Sequence, residues 1–148
     1  MKTVLLITLA AVVLLVPSAI ASDHYALNGT WVLVPDRCDF AGQPPLQGGT
    51  VTLWYRQHNI TVSRTFDLPG AGGAMEYTFG IDGPSGSTIH NGKEVKSKAR
   101  WEGHALVVTT TEDRIPTVER FRMGADGMLI LTVTRPDRPP MTLVFERR

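Results

Sequence analysis

The feature that most constrains this chain is a series of short segments in which apolar and polar residues alternate, each ended by a short turn. The stretch from Met75 to Ile81 shows the clearest alternation, with the two-residue period of a β-strand. Several predicted strands are separated by only two residues that can form a turn: His58-Asn59, Glu102-Gly103 and Asp126-Gly127. Such tight turns force neighbouring strands to pair antiparallel. We therefore predict about nine or ten strands in succession and almost no helix.

Such a meander has two edges, and closing into a barrel removes both. We predict an all-β fold, an antiparallel up-and-down meander that closes into a barrel of about eight to ten strands. A β-sandwich is the alternative, but it needs longer crossover connections than most of those in this chain. Two connections are long, at Asp36–Gly49 and Leu68–Ala74, and in a barrel both could fringe one open end.

Residues 1–21 are typical of a secretory signal peptide. A positive start at Met1-Lys2 precedes an uncharged apolar run, and Ala19-Ile20-Ala21 offers small residues for cleavage. The apolar run is too short for a comfortable membrane span, so we expect no stable membrane anchor. We predict that residues 22–148 form a single β-barrel domain in a secreted or periplasmic protein, and we expect a monomer.

The charge balance bears on possible partners. The full chain has 15 basic and 14 acidic residues, and removal of Lys2 with the signal peptide leaves 14 against 14. A neutral domain is not typical of a nucleic-acid-binding protein. The single cysteine, Cys38, has no internal disulfide partner, so it is either buried or available to pair between chains. Asn28 and Asn59 match the glycosylation sequon, which matters only in a eukaryotic source.

Catalytic and metal-binding arrangements are not recognisable. The four histidines lack ligand spacing, and Cys38 lies between Asp36 and Asp39, whose charges disfavour a thiolate. The carboxylates of Glu112-Asp113 and Glu119 could be paired for catalysis, but ordinary salt bridges to nearby arginines offer another explanation: Arg114, Arg120 and Arg122. We therefore predict no catalytic residues, no metal and no cofactor, and we do not expect an enzyme. A row of basic residues marks either a solvated outer face or a docking patch for an acidic partner: Lys96, Lys98 and Arg100.

The first predicted strand carries a family resemblance. Gly29-Thr30-Trp31, followed by a long loop and a meander, resembles the lipocalins and the wider calycin group. Most of residues 22–148 are similar to small secreted bacterial lipocalin-like proteins, which have a late hairpin like the one containing Glu119-Arg120-Phe121 and Asp126-Gly127. The resemblance implies a barrel whose floor is closed by a tryptophan beneath a basic residue of the last strand. The corresponding residues are Gly29, Trp31 and Arg147.

A small barrel is either filled by its own side chains or holds a small ligand. Ser97 and Ala99 are small residues that share one strand face opposite several aromatic residues, and aromatic walls with a few hydroxyls are typical of lipophilic pockets. We predict that the interior binds a small apolar or amphipathic ligand, with these residues as its contacts: Tyr55, Tyr77, Phe79, Ser97 and Trp101.

The alternative is a filled barrel that acts through its surface loops, as a protein-binding module or as an inhibitor of a secreted hydrolase. In that case the loop Asp36–Gly49 would contact the protein partner, and Pro44-Pro45 would stiffen it for binding. A packed interior beneath a protruding loop would favour this alternative.

Overall fold

The computed structural model describes residues 24–67, 73–90 and 93–148, and it confirms the predicted all-β meander. The predicted signal peptide and most of the Leu68–Ala74 connection lie outside the described residues. Two short 3-10 helices, Tyr25–Leu27 and Pro35–Arg37, flank the first strand. The strands in chain order are β1 Gly29–Leu33, β2 Gly49–Arg56, β3 Asn59–Phe66, β4 Gly73–Gly80, β5 Gly86–His90, β6 Lys93–Glu102, β7 Ala105–Glu112, β8 Ile115–Met123, β9 Leu129–Arg135 and β10 Arg138–Arg147.

One ten-stranded sheet contains all of these strands, in the order β4-β3-β2-β1-β10-β9-β8-β7-β6-β5. Each strand pairs antiparallel with its neighbours in this order. The first strand, β1, therefore pairs with both β2 and the last strand, β10, and Trp31 lies opposite Arg147. The two end strands, β4 and β5, face each other across the line that we call the seam. Among the described residues, the lower part of the seam is bridged by Ile81 pairing with Ala99 of β6 and by the Asp82 amide donating to the Ala99 carbonyl at 3.0 Å. The sheet is therefore a barrel that is nearly closed.

Side-chain burial differs between the two ends of the barrel. We call the end where β1 begins and β10 ends the base, and the opposite end the upper end. Several inward residues of the lower half, including Leu53, Phe121 and Phe145, are fully buried, whereas Tyr55 and Trp101 near the base are partly buried. Inward residues nearer the upper end are only half-buried, and we call them the upper ring: Arg64, Phe66, Met75, Tyr77, Thr110, Thr117, Val133 and Met141. The barrel thus has a packed lower half and a more accessible upper half.

The long connection between β1 and β2 begins at the upper end and folds against the barrel. Asp39 and Thr142 of β10 exchange backbone hydrogen bonds of 2.8 Å. Leu46 is only 8% exposed and joins the hydrophobic core, and Arg138 donates to the side-chain oxygen of Gln43. This loop is therefore held to the barrel at several points. Within the described residues, no helix has the length and apolar character needed to cross a membrane.

The base is closed by Trp31 and Arg147. Trp31 is fully buried, its indole N–H donates to the Leu27 carbonyl at 2.9 Å, and the Arg147 guanidinium lies 4.3 Å from its ring centroid. Arg147 also donates to the carbonyls of Asn28 and Ala26, at 2.8 and 2.7 Å. Gly29 has a φ of +138°, and a β-carbon there would stand 2.7 Å from Arg147 Nη1. The stack and the hydrogen bonds together hold the N-terminal segment against the last strand.

Replacement of Trp31 by alanine tests this closure. We expect Trp31→Ala to lower the free energy of unfolding by about 3–5 kcal/mol, because it removes a fully buried indole and leaves a cavity. The measurement is urea unfolding followed by circular dichroism. Trp54→Ala is the matched control, since Trp54 is 57% exposed on β2 and its loss should cost less than about 1 kcal/mol. Equal costs for the two variants would contradict the assignment of Trp31 to the base.

Candidate functional site

A cavity lies at the seam between β4 and the strands β5 and β6. Its volume is about 170 Å³, and it is lined by Glu76, Tyr77, Thr78, Phe79, Gly86, Ser87 and Ser97. The lining includes inward residues of β4, such as Tyr77, and outward residues, such as Glu76. The cavity therefore reaches from the interior to the outer surface through the seam. Three of the five predicted ligand contacts meet here: Tyr77, Phe79 and Ser97.

The other two predicted contacts, Tyr55 and Trp101, lie near the base. The Trp101 indole stacks on the His24 ring, with centroids 3.8 Å apart and planes 2° apart, and Tyr55 meets Trp101 edge-on at 5.5 Å. His24 Nε2 lies 3.1 Å from the Gly103 carbonyl, and Tyr25 covers Tyr55 from outside at 5.3 Å. The two residues thus belong to an aromatic cluster that packs the N-terminal segment against the barrel, and they do not line the seam cavity.

Within the described residues, the buried Trp101 N–H has no hydrogen-bond partner. A buried donor left unsatisfied costs about 1–3 kcal/mol. A water molecule or a polar atom of a ligand would remove that cost. Trp101 therefore retains an unused donor even though its ring is covered by His24.

An ion pair inside the barrel is a feature that the sequence did not reveal. Arg64 of β3 and Glu119 of β8 share the inward face of their strands with Val62 and Phe121, and the guanidinium and carboxylate are in direct contact. Their side chains are only 18% and 8% exposed. The expectation that Glu119 pairs with neighbouring arginines is wrong, because Arg120 points outward and contacts Glu102 instead.

Arg64 of the ion pair lies near a residue that lines the seam cavity. The Arg64 guanidinium carbon lies 5.9 Å from the centroid of the Tyr77 ring, and Tyr77 lines the cavity. On the other side of the seam, the hydroxyls of Ser97 and Thr110 lie 3.5 Å apart. The interior thus presents an aromatic and aliphatic wall with a few hydroxyls and one neutralised charge pair, a lining suited to an amphipathic molecule.

The Cys38 thiol forms hydrogen bonds with backbone groups of two other residues. Its Sγ lies 3.3 Å from both the Val34 carbonyl and the Val144 amide. Burial raises the pKa of the Cys38 thiol, and the hydrogen bond from Val144 offsets part of that rise. A raised pKa keeps the thiol protonated and poorly nucleophilic near neutral pH. Within the described residues, no group of three or more His, Cys, Asp or Glu side chains is placed to hold a metal ion.

The basic row of β6 lies on the outer face, where Lys96, Lys98 and Arg100 are exposed. Arg100 and Arg120 both contact Glu102, and hydrogen bonds from Arg120 and then Arg100 lower the pKa of that carboxyl. The row is therefore partly neutralised, and it does not reach the interior.

Solved structures share this fold at low sequence identity. A secretory abundant heat soluble protein from Ramazzottius varieornatus matches 83% of this chain and 96% of its own, with a TM-score of 0.69 and 16% identity. A Schistosoma mansoni fatty acid binding protein in complex with arachidonic acid matches 85% and 98%, with a TM-score of 0.65 and 17% identity. The REP1-NXSQ fatty acid transporter matches 82% and 96%, with a TM-score of 0.64 and 12% identity.

These likenesses show a calycin-like barrel, which agrees with the fold implied by Gly29-Thr30-Trp31. No protein-family model and no curated protein sequence matches the chain.

Removal of one partner tests the interior ion pair. We expect Glu119→Leu to lower the free energy of unfolding by about 3–5 kcal/mol, because it leaves the Arg64 charge buried without a counterion. The double variant Arg64→Leu with Glu119→Leu should recover to within about 1 kcal/mol of the natural chain. Lys93→Met removes one partner of the exposed pair with Asp113 and should change stability little. Urea unfolding measures all three, and a double variant no more stable than Glu119→Leu would contradict the pairing.

The state of Cys38 is tested by alkylation. We expect iodoacetamide to react with the folded chain more slowly than with the chain in urea, because burial raises the pKa of the thiol. The pH at which the rate rises should lie above about 8.5, the usual value for an unfolded cysteine. Mass spectrometry of the alkylated chain gives the rate at each pH, and equal rates for the folded and unfolded chains would contradict the burial of the thiol.

Proposed function

We propose that this chain is exported and that its barrel binds a small apolar or amphipathic ligand in the interior. The observation that carries the proposal is the half-buried upper ring, which adjoins the seam cavity through Tyr77. Inward side chains that pack fully, as in the lower half, leave no space for a guest. Inward side chains that stay accessible can exchange water for a ligand at a gain of roughly 25 cal/mol per Å² of apolar surface.

The size of the cavity limits what it holds by itself. A cavity of about 150 Å³ accepts a benzene ring, whereas pockets for drug-sized ligands run from about 300 to 1,000 Å³. The seam cavity, at about 170 Å³, therefore accommodates one end of a ligand. The rest of the molecule would lie along the upper ring, where Phe66, Val133 and Met141 offer apolar surface.

Two of the similar structures are described as a fatty acid binding protein in complex with arachidonic acid and a fatty acid transporter. Because they share only the fold with this chain, they support an interior ligand of apolar character and do not identify it. The predicted signal peptide supports export to the periplasm or the medium.

The packing of the β1–β2 connection favours interior binding over action through this loop. Leu46 is buried in the core and Asp39 is paired with Thr142. A loop held in this way presents less free surface to a protein partner than a protruding loop would.

Native mass spectrometry of protein purified from its own host's envelope or medium tests the proposal. We expect a reproducible extra mass that is lost on denaturation and corresponds to a lipid or small apolar metabolite. A bare chain that also fails to bind any of a panel of apolar fluorescent dyes would contradict interior binding.

A cavity-filling variant locates the site. We expect Ser97→Phe to weaken dye binding by about tenfold or more, because the ring occupies the seam cavity and the lost contacts are worth more than about 1.4 kcal/mol. Lys98→Phe is the matched control, since Lys98 is the next residue on the same strand and faces outward. Thermal unfolding shows that both variants are folded. Equal dye affinities in the two variants would place the ligand elsewhere.

A further inference from the structure

We propose that the barrel interior selects ligands with an uncharged, hydroxyl-bearing head, such as long-chain alcohols, over ligands with a free carboxylate. This inference rests on the proposed interior binding. It is carried by the pairing of Arg64 with Glu119 inside the barrel.

A ligand carboxylate would need a cation inside the barrel. Arg64 is the one arginine of the upper ring, and its guanidinium already contacts the Glu119 carboxylate. A ligand carboxylate could reach it only by displacing Glu119 or by sharing the guanidinium with it. Both arrangements bring two negative charges together beside side chains that are only 18% and 8% exposed, where like charges repel strongly.

The other inward cations that the structure describes lie at the two ends of the barrel. Lys93 and Arg135 lie at the upper rim and contact Asp113 and Asp137. Arg147 lies at the base and donates to two backbone carbonyls. Each of these cations already has a partner, and the two at the rim form pairs that are open to solvent, so none is an unpaired cation inside the barrel.

An uncharged hydroxyl head can form hydrogen bonds with both partners of the ion pair. A guanidinium has five N–H donors and a carboxylate has about four acceptor sites, so one contact between Arg64 and Glu119 leaves both with unused capacity. A hydroxyl donates to a carboxylate and accepts from a guanidinium at the same time. On the same inward face, Thr110 pairs with Thr117, two residues before Glu119, and the Thr110 hydroxyl lies 3.5 Å from that of Ser97. An alcohol can therefore join the interior network without separating the ion pair.

Displacement of a bound apolar dye by 1-decanol, methyl decanoate and decanoate tests the inference on the natural chain. The three probes have the same hydrocarbon chain and differ at the head. We expect 1-decanol to bind at least about tenfold more tightly than decanoate, a ratio that corresponds to about 1.4 kcal/mol. Methyl decanoate should bind more tightly than decanoate because esterification removes the charge.

The variant Glu119→Gln tests the role of the carboxylate. It frees the Arg64 guanidinium while keeping the size of the side chain, so we expect decanoate to bind about tenfold more tightly than it binds the natural chain. The affinity for 1-decanol should change by less than about threefold. Glu146→Gln is the matched control, because Glu146 is exposed on β10 and its removal should leave all three affinities unchanged.

The outcomes separate this inference from the proposed function. Decanoate that binds the natural chain as tightly as 1-decanol and methyl decanoate overturns the head-group selection and leaves interior binding standing. A folded Glu119→Gln variant with an unchanged ratio of acid to alcohol affinity also overturns it. If neither the dye nor any probe binds, the proposed function fails and this inference fails with it.

Discussion

The barrel depends on the pairing of its first strand with its last. β1 and β10 meet with Trp31 opposite Arg147, and the guanidinium both stacks on the indole and donates to carbonyls of the N-terminal segment. Arg147 and Asn28 are 119 positions apart, so this contact requires nearly the whole described chain to be in place. Without it β1 would lack one of its two neighbours, and the sheet would divide between β1 and β10. The buried lower half follows from this closure, because the ring of strands can exclude water only when it is joined.

Because β1 pairs with β10, the gap in the sheet lies on the other side of the barrel, between the end strands β4 and β5. β4 and β5 are consecutive in sequence, but a tight hairpin does not join them: Ile81 pairs parallel with Ala99 of β6, and Asp82 has a φ of +56°. Pro84 follows and lacks the N–H that a ladder needs. The chain therefore crosses towards β6 before it turns into β5. The seam cavity lies beside this crossing, between β4 and the residues Gly86, Ser87 and Ser97.

The sequence predicts the strands and their faces well because the two-residue period acts locally. It places Tyr77, Phe79 and Ser97 on the inward face, and the structure gathers them at one cavity. Tyr55 and Trp101 share that inward parity, yet they lie near the base with His24. Parity gives the face of a residue and not its height in the barrel, since height depends on the register of every strand pair in between.

The pairing of Arg64 with Glu119 could not be predicted for the same reason, because parity does not show which inward residues meet across the barrel. The two residues are 55 positions apart, on strands that are not neighbours in the sheet. Inward parity alone shows two separate polar residues among apolar ones, each with an ordinary surface explanation. Their contact becomes visible only after the sheet has closed, because closure brings β3 and β8 to face each other across the interior.

The presence of this pair is not explained by stability. Desolvating two charges offsets most of their attraction, and a well-packed apolar pair of similar volume is often as stable or more so. The lower half of this barrel shows the apolar solution, with Leu53, Phe121 and Leu131 packed to full burial. Arg64 belongs to the half-buried upper ring, and its guanidinium carbon lies 5.9 Å from the ring centroid of Tyr77, which lines the cavity. In the proposed ligand-binding function, a charge pair at the boundary between the packed and the accessible interior would act on which head groups can enter, while it adds little to the stability of the fold.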